Sequence, residues 1–175
     1  MKNKIVFITG GARSGKSSFA LNEALKVSGP KAYIATAQAL DNEMKERIRK
    51  HKDERNADWD TFEEAFKITE IISDADTKYN VVVLDCLTLW LSNLICGNMD
   101  CNKEIENLIA ALKDSRQKTN NSKLFIVSNE VGMGIVPENE LARKFRDMAG
   151  FLNQKVAEIA DEVFLVTAGI PIKIK

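Results

Sequence analysis

Histidine is nearly absent from this chain. Its 175 residues contain one, His51, and the first question is whether that imidazole is a surface residue or a reacting group. Cysteine is scarce and odd in number, with Cys86, Cys96 and Cys101 only, which argues against a disulfide framework. Cys96 and Cys101 have no second pair and no histidine nearby, so no zinc site is expected. Cys86 falls in an apolar strand pattern and reads as a small core residue. Net charge is lacking too. Lys plus Arg and Asp plus Glu balance at 25 each, leaving no bulk drive toward nucleic acid or an anionic membrane. Nor is there a long apolar run. VVVLDCLTLWLSNLIC (81–96) is interrupted by Asp85 and falls short of the roughly 18 residues of a membrane span. Behind the basic start, the apolar run IVFIT is shorter than the roughly 7–15 residues of a secretory core. A cytoplasmic protein that binds neither membrane nor nucleic acid is expected.

The length suits one domain, residues 1–175, with room for a sizeable core. Apolar runs KIVFIT (4–9), KAYIAT (31–36), VVVLDC (81–86), KLFIVS (123–128) and EVFLVT (162–167) read as strands covered on both faces. After the turn signal GIP, the tail IKIK alternates as a short edge strand does. Helical patterns fall between. The first runs from the glycine-rich turn after Thr9 to about Val27, stopped by Ser28-Gly29-Pro30. A second starts near Asp41, a good N-cap, and runs toward His51. A helix is predicted over 103–118. A long one is predicted from Leu141, Phe145, Met148, Leu152, Val156, Ile159 and Val163, spaced by three and four. Residues 59–63 read either as a strand leading into a helix or, through Thr61-x-x-Glu64, as a capping box. The alternation predicts an α/β domain with a mainly parallel sheet flanked by helices.

GGARSGKS (10–17) matches G-x-x-x-x-G-K-[ST] between a strand and a helix, the context such a phosphate-binding turn requires. Gly10, Gly11 and Gly15 let the backbone turn tightly, with Ala12, Arg13 and Ser14 completing the loop. The helix N-terminus adds partial positive charge. Lys16 reaches the β- and γ-phosphates and the Ser17 hydroxyl suits Mg²⁺. A surface glycine turn is the bland alternative, but it leaves the Lys-Ser pair unexplained. Asp85 closes an apolar strand, where a second Mg²⁺ partner is expected. A strand-end Asp that merely caps a turn is the alternative.

Helical spacing puts Met44, Ile48 and His51 on one face. Around His51 stand Arg47, Arg49, Lys50, Lys52 and Arg55, only partly offset by Asp53 and Glu54. An anion would relieve that repulsion. An imidazole with the ordinary pKa near ~6.5 is mostly neutral at pH 7 and nucleophilic toward phosphorus. On the residues alone, a solvated or packed histidine is the safer reading.

Taken in order, GGARSGKS, YIATAQALDNEM, RIRKHKDERNADW, LDCLTLWLSN, the stretch from VSNEVGMGIVP to DEVFLV, and GIPIKIK resemble one family. It is the bifunctional adenosylcobinamide kinase/adenosylcobinamide-phosphate guanylyltransferase of cobalamin biosynthesis. The resemblance covers nearly the whole chain and is weakest over 64–80 and 97–122. EVGMGIVP and KHKDER are more specific than the phosphate turn.

The resemblance implies a RecA-like P-loop fold, a homotrimer and two reactions. A nucleoside triphosphate phosphorylates the aminopropanol hydroxyl of adenosylcobinamide, with ATP and GTP as co-substrates and Mg²⁺ as cofactor. GTP then gives GMP to the adenosylcobinamide phosphate, through a guanylylated histidine at the position of His51. The same resemblance puts Ala35, Thr36 and Ala37 along the nucleotide. It sets Lys52, Asp53, Glu54 and Arg55 against GTP, and Glu63 and Asp85 on the guanine or metal side. Where relatives can carry a second, adjacent histidine, this chain has Lys50. Segment 130–147 reads as a loop into a core helix, or as a corrinoid wall or subunit contact. Two other functions compete. One is a P-loop kinase of another small alcohol with His51 inert. The other is a RecA-like ATP-dependent DNA-binding module, which a neutral chain with two Trp and two Tyr supports poorly.

Overall fold

Seven strands form one sheet in the computed structural model, which describes residues 2–39, 42–53, 58–75 and 77–175, without the side chains of 43, 47, 50, 51 and 53. The strands are β1 (Lys4–Gly10), β2 (Lys31–Ala35), β3 (Trp59–Glu63), β4 (Val81–Asp85), β5 (Lys123–Asn129), β6 (Glu162–Thr167) and β7 (Ile170–Lys173). Their spatial order is β3-β2-β4-β5-β1-β6-β7. Every neighbouring pair is parallel except β6 and β7, which pair antiparallel at one edge. The parallel pairs need crossovers, supplied by α1 (Lys16–Leu25), α2 (Asn42–Asp53), α3 (Ile68–Ala75), α4 (Leu87–Cys96), α5 (Cys101–Gln117) and α6 (Glu140–Ile159).

Strand alternation divides the core in two. Ile5, Phe7, Ala32, Ile34, Val82, Leu84, Leu124 and Ile126 face one layer, packed against apolar residues of α3, α4, α5 and α6. Val6, Ile8, Tyr33, Val81, Val83, Phe125 and Val127 face the other, against Ala20, Leu21 and Ala24 of α1. Both faces of the central strands are buried, which is why those strands read as unbroken apolar runs rather than as alternating ones.

The structure corrects the sequence reading in places. Of the two readings of residues 59–63, the strand leading into a helix is the one observed, so Thr61 caps no helix. Glu64 accepts instead from the backbone N–H groups of Phe66 (2.8 Å) and Lys67 (3.0 Å), ahead of α3. Burial works to raise the Glu64 pKa. The amides of Lys67 and Phe66 and the Lys67 charge outweigh it, holding the carboxyl below its ordinary 4.5. The long helix stops at Ile159, and Val163 belongs to β6. The break comes at Asp161, whose backbone N–H donates to the Ile5 carbonyl (2.8 Å) while its carboxylate accepts from the Ile5 N–H (2.9 Å) and pairs with Arg116. Those bonds pull the chain onto β1 and out of helical geometry. The whole of α4 went unpredicted because LTLWLSNLIC is apolar nearly all round and shows no period. Asp41, expected as an N-cap, lies outside the described residues.

Candidate nucleotide site

The site is built at the carboxyl ends of β1, β2, β3 and β4. Gly10 ends β1 with φ 152° and Gly15 sits left-handed (φ 96°) at the N-cap of α1. A side chain on Gly10 would meet the Val166 carbonyl at 2.2 Å, and one on Gly15 would come within 3.3 Å of Gly169. The phosphate turn is thus pressed against the β6–β7 hairpin, and the Gly169 N–H donates to the Ser14 carbonyl (2.9 Å). The C-terminal edge strand, read from sequence only as an edge, is the buttress of this loop. On its other side the Glu130 N–H donates to the Gly10 carbonyl (2.8 Å). Lys16 is only 6% exposed, and its ammonium donates to the Gly11 carbonyl at 2.6 Å and the Ser14 hydroxyl at 3.4 Å. The positive charge is held over the turn, and Ser17 follows it in the first turn of α1. Ala12 and Arg13 are exposed on the loop.

Register places the acids. Ala35 pairs with Glu63 on one side and with Asp85 on the other, so the three lie in one row across β3, β2 and β4. Residues directly opposite in a parallel sheet share a face. That face is the α1 side, because Tyr33 and Val83, two residues earlier, pack there. Lys16 and Asp85 both act on the thiol of Cys86. Burial, then the Asp85 charge, push that thiol up to about 11, while Thr88, the Leu89 amide and Lys16 pull the other way. The Asp85 carboxylate accepts a hydrogen bond from the Tyr33 hydroxyl at 2.8 Å.

Thr36 is fully buried. Its hydroxyl donates to the Cys86 carbonyl (2.8 Å) and accepts from the Cys86 N–H (2.8 Å), and its own N–H donates to the Asp85 carbonyl (3.1 Å). It therefore acts as a strut between β2 and β4, while Ala35 and Ala37 beside it are partly exposed. The overlooked α4 organises this rim. Asn93 donates to the carbonyls of Thr36 (2.8 Å) and Ala65 (3.1 Å), and the Trp90 indole donates to that of Phe66 (2.8 Å). Thr88 accepts from the side-chain amide of Asn129 (2.8 Å) at the end of β5. Tyr33, Thr88, Asn93 and Asn129 were all missed in the sequence. The one available signal was that Asn129, like Asp85, is a polar residue closing an apolar strand.

Lys52, near the end of α2, forms an ion pair with Glu63 at the end of β3. Both are about half exposed, so the pair contributes little stability, but it ties the end of α2 to the acidic row. The backbone of His51 and Asp53 belongs to α2, but their side chains lie outside the described residues, as do Glu54 and Arg55 altogether. Among the described residues no group of three or more His, Cys, Asp or Glu is placed to hold a metal. No described helix is long and apolar enough to cross a membrane.

The raised Cys86 pKa has a direct consequence. At pH 8 only about one thiol in a thousand would be ionised, and the thiolate is the reactive form. In the native protein Cys96, which is exposed, should react with a disulfide reagent, and Cys86 only after unfolding. Three equivalents released at one rate before denaturation would contradict this burial.

A glycine-rich phosphate turn on β1, an acid on β4 and a strand inserted between them define a P-loop nucleotide-using α/β protein of RecA-like architecture. Solved structures agree at the level of the fold. The crystal structure of the RadB recombinase matches with TM-score 0.56 at 15% identity, over 93% of this chain and 73% of that one. A structure from Pyrococcus horikoshii OT3 matches with TM-score 0.57 at 12% identity, over 98% and 86%. The family model "CobU: Cobinamide kinase / cobinamide phosphate guanyltransferase" matches residues 6–174, and the chain belongs to that family. Three curated relatives match the chain over nearly their full length. The bifunctional adenosylcobalamin biosynthesis protein CobU of Salmonella typhimurium is 44% identical over 98% of this chain and 99% of its own. CobU of Escherichia coli is 43% identical over the same shares. CobP of Pseudomonas aeruginosa is 39% identical over 96% and 95%. The chain is accordingly a transferase of the kinase and guanylyltransferase kind.

Proposed function

We propose that this chain phosphorylates adenosylcobinamide from ATP or GTP and then guanylylates the product through His51. The observation that carries the reading is the row Glu63–Ala35–Asp85, on the same sheet face as the helix that Lys16 opens. Lys52, the neighbour of His51, is tied to that row through Glu63. In the first reaction the substrate hydroxyl oxygen bonds to the γ-phosphorus, the bond to the β-phosphate oxygen breaks, and the hydroxyl proton is released. In the second, the His51 imidazole bonds to the α-phosphorus of GTP and pyrophosphate leaves. A phosphate oxygen of the corrinoid then takes the GMP and the P–N bond breaks. Two easier steps replace one hard one.

Lys16 neutralises charge on the transferring and departing phosphates, reinforced by the N-terminus of α1. The donor set fits Mg²⁺. The Ser17 hydroxyl and the Asp85 carboxylate are hard oxygens, and this ion, which keeps waters and substrate phosphates, needs only one or two protein ligands. Bound there, it supplies further charge neutralisation on the triphosphate. Ala35 and Ala37 line the nucleotide, Thr36 holds the turn behind them, and Lys52, Asp53, Glu54 and Arg55 face GTP. The reading includes a homotrimer in the cytoplasm. Exposed Met133, Ile135, Val136, Leu141 and Phe151, on α6 and the loop before it, offer an apolar face for a neighbouring copy or the corrinoid.

Labelling tests the chemistry. With Mg²⁺, GTP labelled at the α-phosphate should leave acid-labile, base-stable label on the protein, and GTP labelled at the γ-phosphate should not. Absence of α-label would remove the covalent route and favour a simple kinase.

A further inference from the structure

We propose that Tyr33 is a positioning residue for Asp85, holding its carboxylate in the orientation that serves the metal side of the nucleotide. The proposal rests on the reading of Asp85 given above and names a group which that reading does not use. Tyr33 lies on β2 two residues before Ala35, the register partner of Asp85, so Tyr33 and Asp85 are diagonal neighbours on one face. The hydroxyl donates to Oδ2 of Asp85 at 2.8 Å.

Two features make this more than a buried phenol finding a partner. The ring is 3% exposed and meets Trp59 edge-on, with centroids 6.2 Å apart at 78°, so the direction of its hydroxyl is set by packing. The backbone of Asp85 is gripped from the same strand end, because the Thr36 N–H donates to the Asp85 carbonyl (3.1 Å) and the Thr36 hydroxyl bridges Cys86. β2 and the residue that follows it therefore hold the acid twice, main chain and carboxylate, which leaves the carboxylate little freedom to rotate. One hydrogen bond uses only one of its roughly four acceptor positions, so the rest stay available for an ion or its waters. Partners of this kind orient metal-ligating carboxylates, and their loss typically weakens metal affinity by about 10–100-fold.

The test compares Tyr33→Phe, Asp85→Asn and the double variant in the full-length protein. Tyr33→Phe keeps the ring and its contact with Trp59. Asp85 is only partly buried, so losing the hydroxyl strands no charge in the core. Mn²⁺ binding to the protein–GDP complex is read by electron paramagnetic resonance, and the Mg²⁺ requirement by α-labelling. GDP binding in chelator serves as the measure of an intact site. Tyr33→Phe should weaken Mn²⁺ binding and raise the half-saturating Mg²⁺ by about tenfold or more, with labelling recovered at high Mg²⁺ and GDP binding in chelator unchanged. In the Asp85→Asn background, removing the hydroxyl should add nothing. Wild-type Mn²⁺ and Mg²⁺ dependence in Tyr33→Phe, while Asp85→Asn loses both, would overturn the role of Tyr33 and leave that of Asp85 standing. Unchanged ion dependence in Asp85→Asn would overturn both. Slower labelling at saturating Mg²⁺ with the ion dependence unmoved would reduce Tyr33 to a packing residue.

Discussion

His51→Asn should retain no α-label from GTP and should slow guanylyl transfer by about 10³-fold or more, as loss of a nucleophile does elsewhere. The reason is electronic. Asparagine approximates the size of the near side of the imidazole ring, but its amide nitrogen lone pair is delocalised and does not attack phosphorus. Phosphorylation of adenosylcobinamide, followed with γ-labelled nucleotide, should persist in the same variant, because that step forms no bond to His51. The two readouts together separate a missing nucleophile from a damaged fold. Acid-labile α-label surviving in His51→Asn would assign the covalent role to another side chain. The substitution falls near the end of α2, one residue before Lys52, and asparagine is tolerated near helix ends. The melting temperature should move by only a few degrees.

Lys16→Ala should slow both reactions by about 10²–10³-fold, the loss typical of one preorganised donor to developing phosphate charge. Both use a triphosphate, and one turn on β1 carries the motif that cradles it. The substitution should also weaken GDP binding, measurable by calorimetry, since the buried ammonium is the cation held over the loop. The fold should survive, because alanine is the best helix former and Lys16 opens α1. If kinase and guanylyl-transfer rates both stayed at wild-type values, the turn would not be the catalytic nucleotide site. If only one fell, the two reactions would use different nucleotide sites.

Much of the architecture was legible because it rests on local pattern. The runs at β1, β2, β4 and β5 are largely apolar, as strands buried on both faces must be, whereas β6, which reads the same way in sequence, buries only Val163 and Val166; the spacing of Leu152, Val156 and Ile159 marks one side of α6. α4 escaped because Trp90, Leu91 and Leu94 are buried while Leu89 and Ile95 are apolar as well, which erases the period that identifies a surface helix. The end of α6 escaped for a different reason. Nothing between Ile159 and Val163 breaks a helix by propensity, and the break is made by bonds from Asp161 to Ile5, 156 residues away in sequence.

The candidate site divides along the same line. Residues 10–17 are contiguous, and their glycines, Lys16 and Ser17 state their chemistry without help from the rest of the chain. The clustering of cations around His51 does not: alone it reads as a solvated helix, and only the family resemblance points to a reacting imidazole. The sequence by itself determined the apolar runs, the phosphate turn, the acid closing β4 and membership in a family. Only the tertiary structure decided that Glu63, Ala35 and Asp85 form one row and that Lys52 joins it. It also decided that Thr36 is a strut between the ends of β2 and β4, and that the C-terminal hairpin props the phosphate turn. Those relations depend on strand order and register, set by how both faces of the sheet are covered. They join residues that are distant along the chain, which no local spacing records.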